Sequence, residues 1–451
     1  MLRAACCFLL LWLCGAGFAA ERLRVIVETD AGGDPDDEQS MVRFLLYSNE
    51  WDIEGIIANR LKAREGENRN TERTGLGIVR RLVDAYAQCH TNLIAHDPRY
   101  PSPETLRARV VAGHADVSDG VDLILNAVDA ADPRPVWFMN WGTDEGSGES
   151  NLKRALDKVR KERGSEGYAR FKSRIRLSSA DKFGDHTWNL EPPFPFWIDT
   201  FRPPMNGKRW YHQFSAITAK AGGFDLSRDA LTGHGPLGAL YPTNTTHWQK
   251  EGDTMTFLYL VPTGMNDPDR PGWGSWAGRH GLQPDAGPRR YYWANQLDSW
   301  SGSTNRDNTL IRWAVDLQND FAARLDWCVK PRDQANHRPV AVVNGDNSLD
   351  ILRVGARPGS RLKLSAEGST DPDKNALAYD WHVYPEAGSY NGDVEVEGAD
   401  LVNAEFSIPR AAAGKEIHII LAVRDIGAPP LASYRRVIVQ VAANNQKPSQ
   451  K

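Results

Sequence analysis

From Glu28 to Asp37 the chain reads Glu-Thr-Asp-Ala-Gly-Gly-Asp-Pro-Asp-Asp, so Asp30, Asp34, Asp36 and Asp37 fall within eight residues. Crowding like charges in this way suits a hard divalent cation. Ca2+ or Mg2+ takes several carboxylate and carbonyl oxygens and offsets their mutual repulsion. Gly32 and Gly33 let the backbone turn tightly enough for Asp30 and Asp36 or Asp37 to face one point. A carboxylate beside such an ion can also take a proton from a water and make a nucleophile. A plain acidic turn at a helix N-terminus has the same composition, so the run alone admits both readings.

Other chemistry is sparse. No Walker-type phosphate loop, HExxH or CxxC zinc pair, or GxSxG nucleophile turn occurs. Trp273-Gly274-Ser275-Trp276 places two indoles in a glycine-rich loop, where a flat face can stack on a sugar or pack against protein. Trp276 is taken as a candidate sugar platform. Asp371-Pro372-Asp373 reads as a turn, with an inter-strand Ca2+ site as the alternative.

The elements that must position the acidic run alternate. Strands are expected at 23–27, 53–58, 136–139 and 174–177, with helices at 38–46, 74–87 and 151–161. That order predicts an α/β fold, a mainly parallel sheet with helices on both faces, whose ligands bind beyond the carboxyl ends of the strands. Loops 29–37, 59–70 and 140–150 would lie there. Residues 181–305 are rich in Gly, Pro and aromatics, the texture of long loops that build or cover a site. A helix is expected again at 309–325. Residues 329–338 read as a linker, and short β-branched runs at 339–343, 362–364, 377–381, 417–420 and 436–439 predict an immunoglobulin-like β-sandwich. The expected division is a signal peptide at 1–20, an α/β domain at 21–328, a sandwich at 339–443 and a disordered tail at 444–451.

The leader reading rests on Arg3, an apolar run from Ala4 to Leu13 and small residues from Gly15 to Ala20, with cleavage near Ala19 or Ala20. The apolar run is too short to span a bilayer, and no later one is long enough. The chain is therefore expected to be secreted or periplasmic. Cys6, Cys7 and Cys14 leave with the leader, and Cys89 and Cys328 remain, as a disulfide or as two buried thiols. The net charge of −4 becomes about −5 without Arg3, and no Lys/Arg stripe offers a footprint for nucleic acid.

The acidic run resembles the opening of the inosine–uridine nucleoside hydrolases, a strand followed by DxDxGxDD. The longer segment TDAGGDPDDEQSMVRFLLYSNEWDIEGIIA is similar to secreted nucleoside-hydrolase-like proteins of the Sde182 type, described as cellulose-binding. The likeness recurs in NLIAHDPRYPS, GHGPLGALYP, EGDTMTFLYLVPTGMNDPDRPGWGSWAGR, LQNDFAARLDWC and GSTDPDKNALAYDWHVYPEAG, and so covers nearly the whole mature chain. It implies Asp30 as general base and ligand to Ca2+, with Asp36, Asp37, Asp253 and the Thr143 carbonyl as further ligands. It implies Asn59 as a sugar-binding residue. The sequence departs from the family at Glu28, where an aspartate is usual, and in an acidic loop two residues longer. It departs again at Gly252, where many relatives have the histidine that precedes the late aspartate. The leaving-group acid then falls to His234, Asp181 or His186, and Asp181 is also a candidate substrate contact.

Two functions follow. One is metal-assisted hydrolysis of an N- or O-glycosidic bond in a small glycoside, nucleoside or polysaccharide. The other is carbohydrate binding on a hydrolase scaffold without catalysis. Oligomerisation is left open.

Overall fold

The computed structural model describes residues 22–33, 35–65, 71–143, 150–179, 194–199, 211–243, 249–282 and 293–443. The expected leader, Asp34, Asp181, His186 and the tail lie outside them.

The first strand, β1 (Leu23–Thr29), shows why the sheet must be covered on both sides. Val25 and Val27 enter one apolar cluster and Ile26 enters another. A parallel strand buried on both faces reads as a continuous apolar run. After it come α1 (Asp36–Leu46), β2 (Trp51–Ala58), α2 (Gly75–His96), α3 (Pro103–Arg109), β3 (Val110–Ala112), α4 (Asp119–Asp129), β4 (Val136–Asn140), α5 (Asn151–Ser173), β5 (Ile175–Ser179) and β6 (Phe196–Asp199). Then follow α6 (Tyr211–Thr218), α7 (Gly235–Ala239), α8 (Met255–Leu258), β7 (His280–Leu282), β8 (Trp293–Asn295), the hairpin β9 (Asp298–Trp300) and β10 (Ser303–Asn305), and α9 (Asn308–Trp327). Eight strands form one sheet in the order β3-β2-β1-β4-β5-β6-β8-β7, parallel throughout except between β7 and β8. This is the α/β architecture expected. The crossover α4 was not anticipated, although Val121, Ile124, Leu125 and Val128 bury one of its faces.

The C-terminal region is all-β. Its strands are β11 (Leu352–Ala356), β12 (Arg361–Ser365), β13 (Leu377–Val383), β14 (Glu395–Glu397), β15 (Asn403–Ser407), β16 (Glu416–Asp425) and β17 (Ala432–Val441). They make two sheets, β11-β17-β16-β13 and β12-β15-β14, antiparallel except for β11 beside β17. Trp381 lies in their shared core, and its indole donates to the Leu401 carbonyl at 3.0 Å. The strand expected at 339–343 reduces to two bridges, Val340 with Thr370 and Val343 with Asp346. Asn344 and Gly345, both at positive φ, turn the chain away directly after it. Asp371 accepts from the amides of Asp373 and Asn375, a self-contained turn.

The two regions share a core. On β16, Ile417, Ile419, Leu421 and Val423 face the sandwich interior, while Ile420 and Ala422 join the main cluster of the α/β domain. Tyr434 and Arg436 donate their amides to the carbonyls of Thr263 and Gly264, both at 3.1 Å. A Cβ on Gly264 would meet the Tyr434 carbonyl at 2.0 Å, so only glycine lets the chains approach this closely. The buried Arg436 guanidinium donates to the carbonyls of Met265 and Trp273, each at 2.6 Å, and to His418 Nδ1 at 2.9 Å. Segment 329–338 is anchored along its length. Asn336 donates to Asp425 at 2.8 Å, the His337 amide to Asp373 at 2.7 Å and Arg338 to Asp320 at 2.5 Å. Cys89 and Cys328 are buried free thiols. Among the described residues no helix is long and apolar enough to cross a membrane.

Candidate metal centre

The loop after β1 leads straight into the first turn of α1, which is why Asp36 and Asp37 stand at a helix N-terminus where negative charge is favoured. Asp253 arrives from the turn before α8. Asp36, Asp37 and Asp253 each present an oxygen within 4.8 Å of the others. Asp37 and Asp253 are each 4% exposed. Asp37 accepts from the Thr29 hydroxyl and from the Asp30 amide at 3.1 Å. Burial, and then the charges of Asp253 and Asp30, push its carboxyl well above the usual carboxylate range. Two buried carboxylates with a half-buried third this close favour protons or a cation among them. The donor set, all carboxylate oxygen, fits a hard ion such as Ca2+.

A second layer brings α1 and the Asp253 turn together. Arg43 and Glu251 are fully buried and pair at 2.5 Å. Glu251 also accepts from Tyr241 at 2.8 Å, Gln249 at 2.8 Å and Thr254 at 3.0 Å. Gln39 accepts from the amides of Lys250 and Glu251 at 2.6 and 3.2 Å, and Thr254 meets Ser40 at 3.0 Å. The Asp253 carbonyl accepts from Thr256 at 2.7 Å, and Thr256 in turn accepts from Trp141 at 2.7 Å. One face of α1 therefore grips the turn, and the same helix begins with Asp36 and Asp37.

Asp30 lies beside that group, its side chain against Asp37, and is tied to Arg60 as well. Its Oδ2 accepts from Arg60 Nη2 at 2.7 Å and its carbonyl accepts from Arg60 Nε at 2.9 Å. A Cβ on Gly142 would lie 2.5 Å from Asp30 Oδ1, so the backbone after β4 passes directly against this carboxylate. Asn59 is fully buried and donates to Glu28 at 3.0 Å and to the Gly142 carbonyl at 2.9 Å, so its Nδ2 is committed to the floor of the site. Glu28, fully buried on β1, accepts the Asn151 amide at 2.8 Å at the N-terminus of α5, and the Asn151 side chain at 2.8 Å. Burial raises Glu28 to about 7 against the pull of these donors. Thr143 follows Gly142 beyond β4 and is half-buried.

The remaining candidates lie elsewhere. The His234 ring meets the Arg228 carbonyl at 2.9 Å and Asp326 at 3.3 Å. It lines a groove of about 560 Å3 with Phe224, Lys330, Pro429 and Pro430, where the two regions meet, and that groove has no lining residue in common with the carboxylate group. His234 is thus not brought to the carboxylates. Trp276 is 1% exposed beneath the Arg338 guanidinium, 4.7 Å from its ring, and offers no open face to a sugar. Asp181 falls outside the described residues. Arg60, Arg43 and Glu251 were not anticipated. The position of Arg60, immediately after Asn59 at the end of β2, was the available signal.

Residues 24–280 match the family described as cellulose-binding Sde182, nucleoside hydrolase-like domain, and residues 361–441 match the C-terminal domain of the cellulose-binding protein Sde0182. Among solved structures, a nucleoside hydrolase-related hypothetical protein from Saccharophagus degradans, associated with carbohydrate metabolism, is 32% identical. The match covers 93% of this chain and 100% of that one, with a TM-score of 0.74. The effector protein XOO4466 is 10% identical over 68% of this chain and 94% of its own, with a TM-score of 0.31. No curated protein matches the chain.

Proposed function

The chain belongs to the cellulose-binding Sde182 family, whose N-terminal domain is nucleoside hydrolase-like; from that premise we propose that it is an exported, glycan-directed hydrolase working through a divalent cation held by Asp36, Asp37 and Asp253. The convergence of those three carboxylates, from two distant segments, within 4.8 Å carries the reading. A cation bound there supplies positive charge to the vicinal hydroxyls of a sugar and acidifies a water.

The chain's own residues do the rest. Asp30 takes the water's proton at Oδ1, while Arg60 on Oδ2 fixes the carboxylate's orientation. Glu28, Asn59 and Asn151 hold the strand ends and the backbone at Gly142 in place beneath it. The water oxygen bonds to the anomeric carbon as the glycosidic bond breaks through a sugar carrying positive charge, and the leaving group departs with the bonding pair and takes its proton from solvent. A second reading, carbohydrate binding without turnover, is favoured by the same Arg60 contact, because a guanidinium 2.7 Å from Asp30 weakens it as a base.

Calorimetric titration of Ca2+ into wild type, Asp37→Ala and Asp253→Ala is the test. Binding that is lost in both variants supports the cation site; no binding to wild type refutes it. Release of base or reducing sugar by the loaded protein from nucleosides, aryl glycosides or cello-oligosaccharides then selects hydrolysis. Retention on cellulose without release selects the second reading.

A further inference from the structure

The segment that joins the two regions is held by a chain of contacts for which two neutral histidines have too few hydrogens. His96 is the last residue of α2, His337 lies in segment 329–338 and Asp373 belongs to a turn of the sandwich. His96 Nδ1 meets His337 Nε2 at 2.9 Å, and His96 Nε2 meets the Lys330 carbonyl at 2.9 Å. His337 Nδ1 meets both Asp373 oxygens at 3.0 Å. Both rings are 6% exposed.

A carbonyl only accepts, so His96 Nε2 carries a hydrogen. A carboxylate only accepts, so His337 Nδ1 carries one as well. Two neutral imidazoles then have none left for the contact between them, and bare lone pairs at 2.9 Å repel. We infer that His96 and His337 share one additional proton, and that this buried cation, balanced by the Asp373 carboxylate, is a latch that fastens the sandwich to the α/β domain and opens when the proton leaves.

The surroundings suit a single positive charge. Trp327 of α9 stacks on His96 at 5.2 Å and 7° and on His337 at 5.2 Å and 24°, and an indole face attracts a cation. Asp373 is fixed by the His337 amide at 2.7 Å, and Asp371 adds negative charge from the same turn. Arg332 opposes the charge from within segment 329–338, with its Nη1 donating to the His96 carbonyl at 2.5 Å. Asp326 of α9 is engaged by Lys330 at 2.7 Å, and Asp97, beside His96, by Arg99 at 2.6 Å. Burial works against charge on either ring taken singly and lowers both, so the pair refuses a second proton. The first belongs to the pair rather than to either ring, and without it the three contacts cannot all be hydrogen bonds.

Ring-nitrogen NMR of the full chain with labelled histidine tests the shared proton. At about pH 8, where an ordinary histidine is neutral, His96 and His337 should together carry three ring hydrogens, the third coupled to a nitrogen of each ring. One hydrogen per ring at that pH overturns the inference, and this result uses wild type and needs no variant to fold. Hydrogen exchange reads the latch. After correction for the intrinsic rate, protection of the His337 amide should fall by about tenfold or more as the proton leaves, while amides of β4 keep theirs. Asp373→Asn removes the counter-charge and should move that step down by about one pH unit or more, a tenfold weaker hold on the proton. His96→Gln, whose amide offers one hydrogen to His337 and one to the Lys330 carbonyl, should keep the segment protected with no step. Protection in wild type that does not change as the rings titrate overturns the latch, and so does a step that Asp373→Asn leaves in place.

Discussion

Arg43 and Glu251 touch no proposed reactant, yet both are fully buried and their pairing joins α1 to the turn that carries Asp253. Removing one partner leaves the other as an unpaired buried charge, a cost of about 3–5 kcal/mol. Glu251→Gln should therefore lower stability by about that much in urea denaturation and weaken Ca2+ binding without altering any ligand. Replacing both residues with apolar side chains of similar volume should recover much of the stability but not the affinity. At this scale the sequence shows what lies close together along the chain. Asp36 and Asp37 announce themselves by spacing, and Asp253 by its likeness to relatives. Arg60 gives only its position after Asn59, because a lone arginine after a strand usually faces solvent and only the fold sets it against Asp30.

Among the elements, the backbone beyond β4 is the tightest constraint on the site. Gly142→Ala places a methyl 2.5 Å from Asp30 Oδ1 and should cost about 1–3 kcal/mol while disturbing the Arg60 pair. Gly355→Ala, with nothing within 4 Å of its Cβ, is the control and should shift the melting temperature little. The parallel strands were legible because continuous apolar runs such as Val25-Ile26-Val27 demand cover on both faces. The same logic applies to β16, where Ile419-Ile420-Leu421-Ala422-Val423 has no polar alternation. Read as an ordinary sandwich strand, it conceals the fact that its outer face meets another domain. Trp276 follows from that face. Its glycine-rich setting suggests an open loop, but the segment is roofed by the sandwich and the indole is buried.

For the molecule as a whole, the shared core makes unfolding one event. Calorimetry should show a single transition, and truncation after 338 should abolish it rather than leave the α/β domain melting alone. Its acid sensitivity is also set partly at the junction. His418 and His280 are fully buried, and burial lowers each to about 3. An unfolded histidine titrates near 6.5, so between pH 6.5 and about 3 the unfolded chain binds more protons than the folded one. Stability should fall as pH drops through that window, by about 1.4 kcal/mol per pH unit for each ring, and be indifferent to these rings above it. His418→Gln, which retains an acceptor for Arg436, should flatten the slope of the urea midpoint against pH by one proton.

The close passage of Gly264 beneath Tyr434 also bears on how such a chain can be inherited. Proteins built from two domains in series can exchange a terminal module only where the seam between the domains is loose. Here an exchange at 329–338 would remove the roof that Ile420, Ala422, Ala432 and Tyr434 make and leave Thr263 and Gly264 without their backbone partners. The sandwich is thus poor currency for shuffling: the two halves must descend together, and substitutions on either side of the seam should be matched by changes on the other.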